Sequence, residues 1–393
     1  MGYSIELAAT RRQRRTFVDV PRLVMASMPA FVPPLTADEL GRIDPRRNPF
    51  FEHAESTFWI LRDGKRAVGR ISATVDQLAL DYAKDQTGVF GHFLAPDAPG
   101  AALLLDAAAE FLRAHGLAAM RGPIELSTNH TCGLQVSGFD LPPRIQMNQH
   151  PPGQEDLLLA YGLEPCKDLL AFECNRFAAD QERLARGRRI ATRRAKVQIR
   201  NLDLRNFANE VDRLHTVYQR SWAKNFAFAP MSHAEFAHAA KDFRRIACAE
   251  LCQIAERDGE PVGFILGLPD VNVGIRACNG RLWPFGFVKL LRAVRKTDRF
   301  RVVTLGIVPE LRGKGVDSLL ILEHIERGTG SGYHDCEMSW VLADNVGMVK
   351  PLVAMGARES ARYRLYEAAL RAPTIRRESP LHRSQTQPGS HAG

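Results

Sequence analysis

Two glycines with one residue between them, Gly313 and Gly315, mark the chemically most suggestive stretch of this 393-residue chain. Arg312 and Lys314 alternate with them. An apolar run at 304–308 and Pro309 come before; Leu319, Leu320, Leu322 and Ile325 follow at helical spacing. A strand that feeds a glycine turn at a helix start makes an anion cradle. The glycines let backbone amides converge, the helix end adds partial positive charge, and Arg312 and Lys314 add full charges. The candidate ligand-binding residues of this stretch are Ile307, Val308, Arg312, Gly313, Lys314, Gly315, Val316 and Ser318. The same pattern also fits an ordinary strand-to-helix turn with basic residues on its surface.

Carboxylates are the second signal. Glu337 begins the apolar run 337–342, and burial there would raise its pKa toward the range of a general base. A glutamate at an exposed strand end reads the same way in sequence. Asp344 is a further base candidate, although Ala343-Asp344-Asn345 can equally cap the next helix. In the first half, Glu125, Asn129, His130, Asn148 and His150 form a polar concentration among Gly122, Gly133 and Gly138. That density suits a wall that binds an acceptor. It also suits a loop that satisfies its own backbone. His92 reads as a strand histidine rather than a catalyst.

The elements that would carry these residues alternate between strand and helix patterns, which predicts an α/β (α+β) fold. Strands are expected at 3–7, 57–61, 67–76, 89–94, 121–127, 197–202, 250–257, 262–268, 304–308, 337–342 and 362–367. Helices are expected near 38–43, at 101–115, 207–222, from Ser232 onward, and at 346–355. A short helix is expected to run toward Ser137. The order repeats: Val68-Gly69 returns as Val262-Gly263 and Asn129 as Asn345. Leu134–Gly138 is matched to Leu352–Gly356. This is a duplicated domain rather than a short-period array. The expected divisions are a first copy at 1–175, a basic linker at 176–200, a second copy at 201–370 and a disordered tail at 371–393. An insertion at 273–298 within the second copy accounts for the change in spacing between the copies' later parts. Its helix, 287–296, sets Phe287, Val288, Leu290, Leu291 and Val294 against Lys289, Arg292, Arg295 and Lys296. That is the pattern of a helix lying on an anionic bilayer, and also of a packed helix with snorkelling stems.

Composition sets bounds. Apolar residues make up 45% and charged residues 25%, as in ordinary globular chains. A formal charge of +9 favours an anionic partner. Seven scattered cysteines do not form a disulfide framework, and Cys248 and Cys252 lack a matching pair at metal spacing. No apolar run reaches the length of a membrane span. Arg11, Arg12, Arg14 and Arg15 precede an apolar stretch broken by Pro21, Arg22 and Pro29, so no signal peptide is read there. The arginine-rich linker reads as a solvated helix or as a strip that binds RNA or lipid phosphates, and its few interleaved aromatics weigh against single-stranded nucleic acid.

The strand, the hydrophobic-x-Pro step and the Arg-x-x-Gly turn at 304–316 resemble the GNAT N-acyltransferase family. So does the later order of strand, Asn345, helix, Gly356 and last strand. The resemblance implies two tandem GNAT-like domains, each a mixed, largely antiparallel twisted sheet flanked by helices. It implies acyl-CoA as donor substrate, held by the cradle residues and Asn345, with no bound prosthetic group and no metal. Asp317 stands where the family has a small residue, which keeps an acyl carrier protein open as the donor. In the family a tyrosine four residues before the closing glycine protonates the thiolate. Leu352 stands there, and Tyr363 and Tyr366 are the nearest substitutes. The first copy has Ala95-Pro96-Asp97-Ala98-Pro99-Gly100 in place of the cradle. Over roughly 15–367 the chain resembles a group of bacterial tandem-GNAT proteins that includes ceramide-forming members. It shares Asn48-Pro49-Phe50-Phe51 with His53, Phe90-Gly91-His92-Phe93, Gly122-Pro123, Gly138-Phe139-Asp140 and Ser339-Trp340-Val341-Leu342. This implies transfer of a long-chain acyl group to a lipid amine such as a sphingoid base. Glu337, Asp344 and Tyr363 would be catalytic, and Asn129, His130 and Trp340 would line the acceptor. A cytoplasmic location is expected, with peripheral contact at the membrane's inner face as its sharper form. A small-amine N-acetyltransferase, an aminoacyl-tRNA-dependent transferase and a catalytically inert scaffold remain the rival readings.

Overall fold

The computed structural model describes residues 2–175 and 181–370, so the tail expected at 371–393 lies outside the described residues. The first half runs β1 (Tyr3–Leu7), α1 (Arg11–Val24), α2 (Thr36–Arg42), β2 (Ala54–Asp63), β3 (Arg66–Asp76), α3 (Gln77–Ala83) and β4 (Thr87–Leu94). It continues with α4 (Ala98–Ala114), β5 (Ala119–Gly122), β6 (Leu134–Ser137), α5 (Gln154–Tyr161) and β7 (Glu164–Asn175). The second half runs α6 (Gln181–Ala195), β8 (Gln198–Asn201), α7 (Phe207–Trp222), α8 (His233–Arg244), β9 (Cys252–Arg257), β10 (Glu260–Pro269), α9 (Asn272–Ala277) and α10 (Gly286–Val294). It ends with β11 (Arg299–Ile307), α11 (Val316–Gly330), β12 (Asp335–Leu342), α12 (Val346–Ala354) and β13 (Arg358–Ala369).

All thirteen described strands join one sheet, in the order β1-β2-β3-β4-β5-β13-β7-β12-β11-β10-β9-β8, with β6 attached to β13. Only β4–β5 and β11–β12 pair in parallel among the described strands. The order reads the same from both ends once each strand is replaced by its repeat. Each half's last strand lies inside the other half's pairing: β13 joins β5, and β7 joins β12. β7 and β13 pair with each other along their length. The expected boundary near residue 175 therefore falls at the end of a strand shared by both halves.

Local sequence explains the main elements. On α4, Ala101, Leu104, Leu105, Ala108, Ala109 and Leu112 form the buried face, and Asp97 caps the helix by accepting the Gly100 amide at 2.9 Å. Helix α1 lies where no helix was expected. Its Thr10–Gln13 capping box starts it, and Phe17, Val18 and Val20 are buried. Pro21 sits inside it and cannot donate to the Phe17 carbonyl. Arg70 Nη1 takes that carbonyl at 3.2 Å, which is why the proline is tolerated. Leu134–Ser137 is strand β6 on β13, not the expected helix. The repeat partner of α12 is α5, whose closing Gly162 matches Gly356 at the same separation as Val68 and Val262.

The basic segment is a packed helix rather than a linker. Ala191 and Ala195 of α6 enter the second half's core, and Arg188 pairs with Glu323 of α11 at 2.6 Å. Among the described residues no helix is long and apolar enough to cross a membrane.

Two fully buried arginines tie the halves together. Arg144, in the loop after β6, donates to Asp335 at 2.9 Å and Glu173 at 3.1 Å, and approaches Asp270 at 3.5 Å. Arg301 of β11 donates to the carbonyls of Ile145 at 3.0 Å and Gln146 at 3.4 Å. His53 bridges Asp76 and Glu235 at 3.0 and 2.7 Å across the same junction. Removing one partner of such a buried network leaves uncompensated charge, so Arg144→Met is expected to cost about 3–5 kcal/mol. Arg245→Met, which breaks an exposed pair with Asp242, is expected to change little. Denaturant midpoints of the two variants check this.

Candidate active site

The parallel ladder between β11 and β12 runs from Arg299–Asp335 to Val302–Met338 and then stops. The ladder between β12 and β7 is also interrupted between Met338 and Val341. Ser339 and Trp340 thus leave regular pairing on both sides, and the strands part. Bulges of this kind re-aim side chains next to functional sites. A cavity of about 230 Å³ lies on the α11/α12 side, lined by residues that include His324, Tyr333, Met348 and Leu352. A cavity of about 1120 Å³ lies on the other side, between the halves. Trp222, Asn225, Val303, Thr304, Trp340 and Leu342 line both, so the parted strands form a passage through the sheet.

The first copy is closed at the equivalent place. The Ile124 amide donates to the Phe90 carbonyl at 2.7 Å, continuing the contact past β5. Gly91 makes this possible, because a Cβ there would collide with the Ile124 carbonyl.

At the narrow side stands the glycine turn. A single 3-10 turn, Pro309–Leu311, follows β11, and α11 starts at Val316. Gly313 and Gly315 take φ of +69° and +86°, in the region open to glycine. Among the described residues, the amides of Gly313, Gly315, Val316 and Asp317 have no acceptor within the chain and converge on a first helical turn. Lys314 and Ser318 are exposed beside them. Arg312 acts from behind: its guanidinium donates to the Ile307 carbonyl at 3.3 Å and to the Ser221 carbonyl. Ile307 and Val308 belong to the core, so their side chains cannot meet a ligand. Asp317 Oδ1 accepts the Ser318 amide at 2.8 Å, occupying a donor of the cradle. α6 flanks the turn: a Cβ on Gly315 would lie 3.4 Å from Ala191 Cα and 3.7 Å from Arg194 Cβ. Sequence reasoning missed this contribution because it read α6 as a linker.

The predicted catalytic residues stand elsewhere. Glu337 is buried, and burial raises its pKa against the pull of Arg301. It accepts the Ser339 hydroxyl at 2.6 Å, lies 3.8 Å from Arg301, and lines neither cavity. No direct path leads from it to an amine. Asp344 is exposed and paired with Lys167 at 2.7 Å, which holds its carboxyl below the usual range. Tyr363 is buried in the junction core, packs edge-on to Trp340 at 6.0 Å, and also lines neither cavity. Burial raises its hydroxyl far above the ordinary value, with Glu337 adding to the shift.

The predicted acceptor residues do meet the large cavity. Trp340 stands in the passage, over the Arg301 guanidinium at 5.0 Å. Arg301 also donates to Ser339 Oγ at 2.8 Å and the Ser339 carbonyl at 3.0 Å, fixing the bulge. Asn129 is spent on structure, donating to the Ala229 carbonyl at 2.8 Å and accepting the Tyr218 hydroxyl. Burial pushes the His130 imidazole down to about 3, helped by Arg42, so it is a neutral wall residue. Asn345 starts α12 and lines the small cavity. Tyr218 and Trp222 of α7 were not singled out; their apolar helical spacing is that of ordinary core residues.

A sheet built twice by one repeated order of elements, parted in its second copy above an anion cradle, is the architecture of a tandem GNAT acyltransferase. The chain belongs to the family of the bacterial ceramide synthase. It is 32% identical over 375 residues to the protein of that name from Caulobacter vibrioides (strain NA1000 / CB15N), covering 92% of this chain and 96% of that one. Protein YghO of Escherichia coli (strain K12) is 32% identical over 365 residues, covering 90% and 92%. A solved tandem GNAT protein from the clavulanic acid biosynthesis pathway shares the fold at 14% identity. Its TM-score is 0.57, over 94% of this chain and 99% of that one. No protein-family model matches the chain.

The cradle makes two substitutions informative because they should act in opposite directions. A Cβ on Gly313 meets nothing within 4 Å, so Gly313→Glu sets a carboxylate in the open cradle. It should weaken binding of a coenzyme A thioester by about tenfold or more. Asp317→Ala removes a like charge and frees the Ser318 amide; it should tighten binding by about two- to tenfold. Calorimetric titration with palmitoyl-coenzyme A measures both.

Proposed function

We propose that the chain transfers a long-chain acyl group from a coenzyme A thioester to the amine of a sphingoid long-chain base, forming a ceramide-type amide. The passage through the sheet is the observation that supports this most. One side offers an anion cradle and a narrow apolar slot suited to a phosphorylated pantetheine arm. The other offers about 1120 Å³ of largely apolar space, more than the 300–1000 Å³ typical of pockets for small ligands. An acetyl group and a small amine would leave most of that space unfilled. The name of the relative from Caulobacter vibrioides adds weight in proportion to its 32% identity.

In this reading the thioester carbonyl lies at the parted strands. Beyond Val302 the main chain of β11 has no β12 partner, so its amides on that edge are free to stabilise an oxyanion. The amine nitrogen attacks the carbonyl carbon, the C–S bond breaks, the amine loses a proton and the thiolate gains one. Glu337, Asp344 and Tyr363 receive no proton-transfer role because none lines a cavity. Glu337 instead balances Arg301 and holds Ser339, keeping Trp340 in the passage. The two glycines, Lys314 and the first turn of α11 favour coenzyme A as donor over an acyl carrier protein, which offers a single phosphate.

The insertion supports contact with an anionic membrane. Trp283, Phe285 and Phe287 are 87%, 74% and 53% exposed. Between 271 and 297 there are six basic residues and no acidic one. Leu290, Leu291 and Val294 of α10 line the large cavity, so the exposed aromatics stand beside its wall. This combination suits a surface that draws a lipid acceptor from the bilayer.

Purified protein with sphinganine should give a palmitoyl amide from palmitoyl-coenzyme A, detected by mass spectrometry. A product from acetyl-coenzyme A alone would sink the long-chain assignment, and no amide from either would sink the reaction. Replacing Trp283 and Phe285 by serine should lower co-sedimentation with vesicles rich in phosphatidylglycerol by about tenfold or more. Unchanged sedimentation of a folded variant would remove the membrane contact.

A further inference from the structure

The large cavity has a polar corner in the closed first copy. His92 of β4 is 3% exposed and takes a φ of +51°, a conformation rare for residues other than glycine. Its Nδ1 lies 2.8 Å from Ser72 Oγ. Its Nε2 is buried and, among the described residues, has no hydrogen-bond partner. That nitrogen faces Glu125 Oε2 at 3.7 Å, too far for a hydrogen bond. Glu39 of α2 completes the group: the ligating atoms of Glu39, His92 and Glu125 all lie within 4.8 Å of one another. All three residues line the cavity. Leu126, next to Glu125, also has a positive φ, +68°.

Buried polar atoms without partners are rare, and those beside a cavity point to a missing ligand. Charge narrows what the ligand is. Arg42 Nη1 lies 3.0 Å from Glu39 and 3.9 Å from Glu125, and Arg70 also lines this wall. Two carboxylates are thus already opposed by two guanidinium groups. Burial holds the His92 imidazole well below its ordinary value, hence neutral. A divalent ion would add charge to a balanced site against two nearby cations. A hydroxyl adds none, and it both donates and accepts. Placed about 2.8 Å from each atom, it fits the 3.7 Å gap between His92 Nε2 and Glu125 Oε2. It would accept from Nε2–H in the tautomer whose Nδ1 accepts the Ser72 hydroxyl, and donate to the carboxylate.

We propose that His92, Glu125 and Glu39 bind a hydroxyl group on the head of the acceptor and select amino alcohols over plain alkylamines. The inference rests on the N-acylation reading above. The first copy thereby supplies specificity where it cannot hold a donor. The corner and the passage share the large cavity, whose lining includes both Glu125 and Trp340.

The test compares sphinganine, 1-deoxysphinganine and octadecylamine as acceptors with palmitoyl-coenzyme A. The wild-type protein should prefer sphinganine to octadecylamine by at least about tenfold in kcat/KM. Glu125→Gln and His92→Gln should bring that ratio toward one while calorimetric binding of palmitoyl-coenzyme A persists, which also reports folding. Ser72→Ala, a milder change, should lower the ratio part of the way. Equal use of all three amines by the wild type would overturn the inference and leave the N-acylation reading standing. Acylation of none would overturn both. Stoichiometric binding of Mn²⁺ or Zn²⁺, lost in Glu125→Gln, would overturn it in favour of a metal site.

Discussion

A buried guanidinium must find partners in every direction, and Arg301 finds them in two separate elements. It reaches the bulge at Ser339, the loop carbonyls of Ile145 and Gln146, and the Glu337 carboxylate. Those demands fix where β11, β12 and the first half's loop meet. The gap between the strands is held open from behind rather than left open by weak pairing. Arg144 does similar work one layer away, drawing Asp335, Glu173 and Asp270 from three strand regions. Buried charge is a costly way to join two halves, but it tolerates few alternative arrangements.

Duplication gave both halves the same sheet order, and small differences gave them different uses. In the first copy Gly91 lets β4 and the segment after β5 approach until Ile124 and Phe90 hydrogen-bond. In the second the strands diverge after Val302 and Met338. The cradle exists on the side that is open. The closed side presents polar residues to a shared cavity, and neither half encloses that cavity alone.

The glycine turn was legible because its chemistry is local: positive φ at Gly313 and Gly315 and the start of α11 follow from neighbouring residues. Helix α7 was legible with its bounds because its apolar residues recur at helical spacing from Phe207 to Trp222. Helix α1 was hidden by Pro21, whose cost is offset by Arg70, a residue far along the chain. β6 was misread because Leu134–Gly138 imitates Leu352–Gly356 in sequence, whereas its hydrogen bonds go to β13. Burial of Glu337 could be read from its strand; its role could not, because register sets it opposite Arg301. His92 was set aside as a strand histidine, which it is. Its unsatisfied nitrogen appears only once Glu125 and Glu39 are folded against it.

The exchange of last strands bears on how the protein is made. β13 is the last of the described strands to be synthesised, yet it is the partner that covers β5 in the first half. While the chain emerges, that edge has no strand of its own to close it, and an uncovered edge is prone to pairing with the wrong chain. The first half therefore cannot finish folding before the second is complete. A chain cut short before β13 would leave the strands it pairs with in both halves uncovered at once.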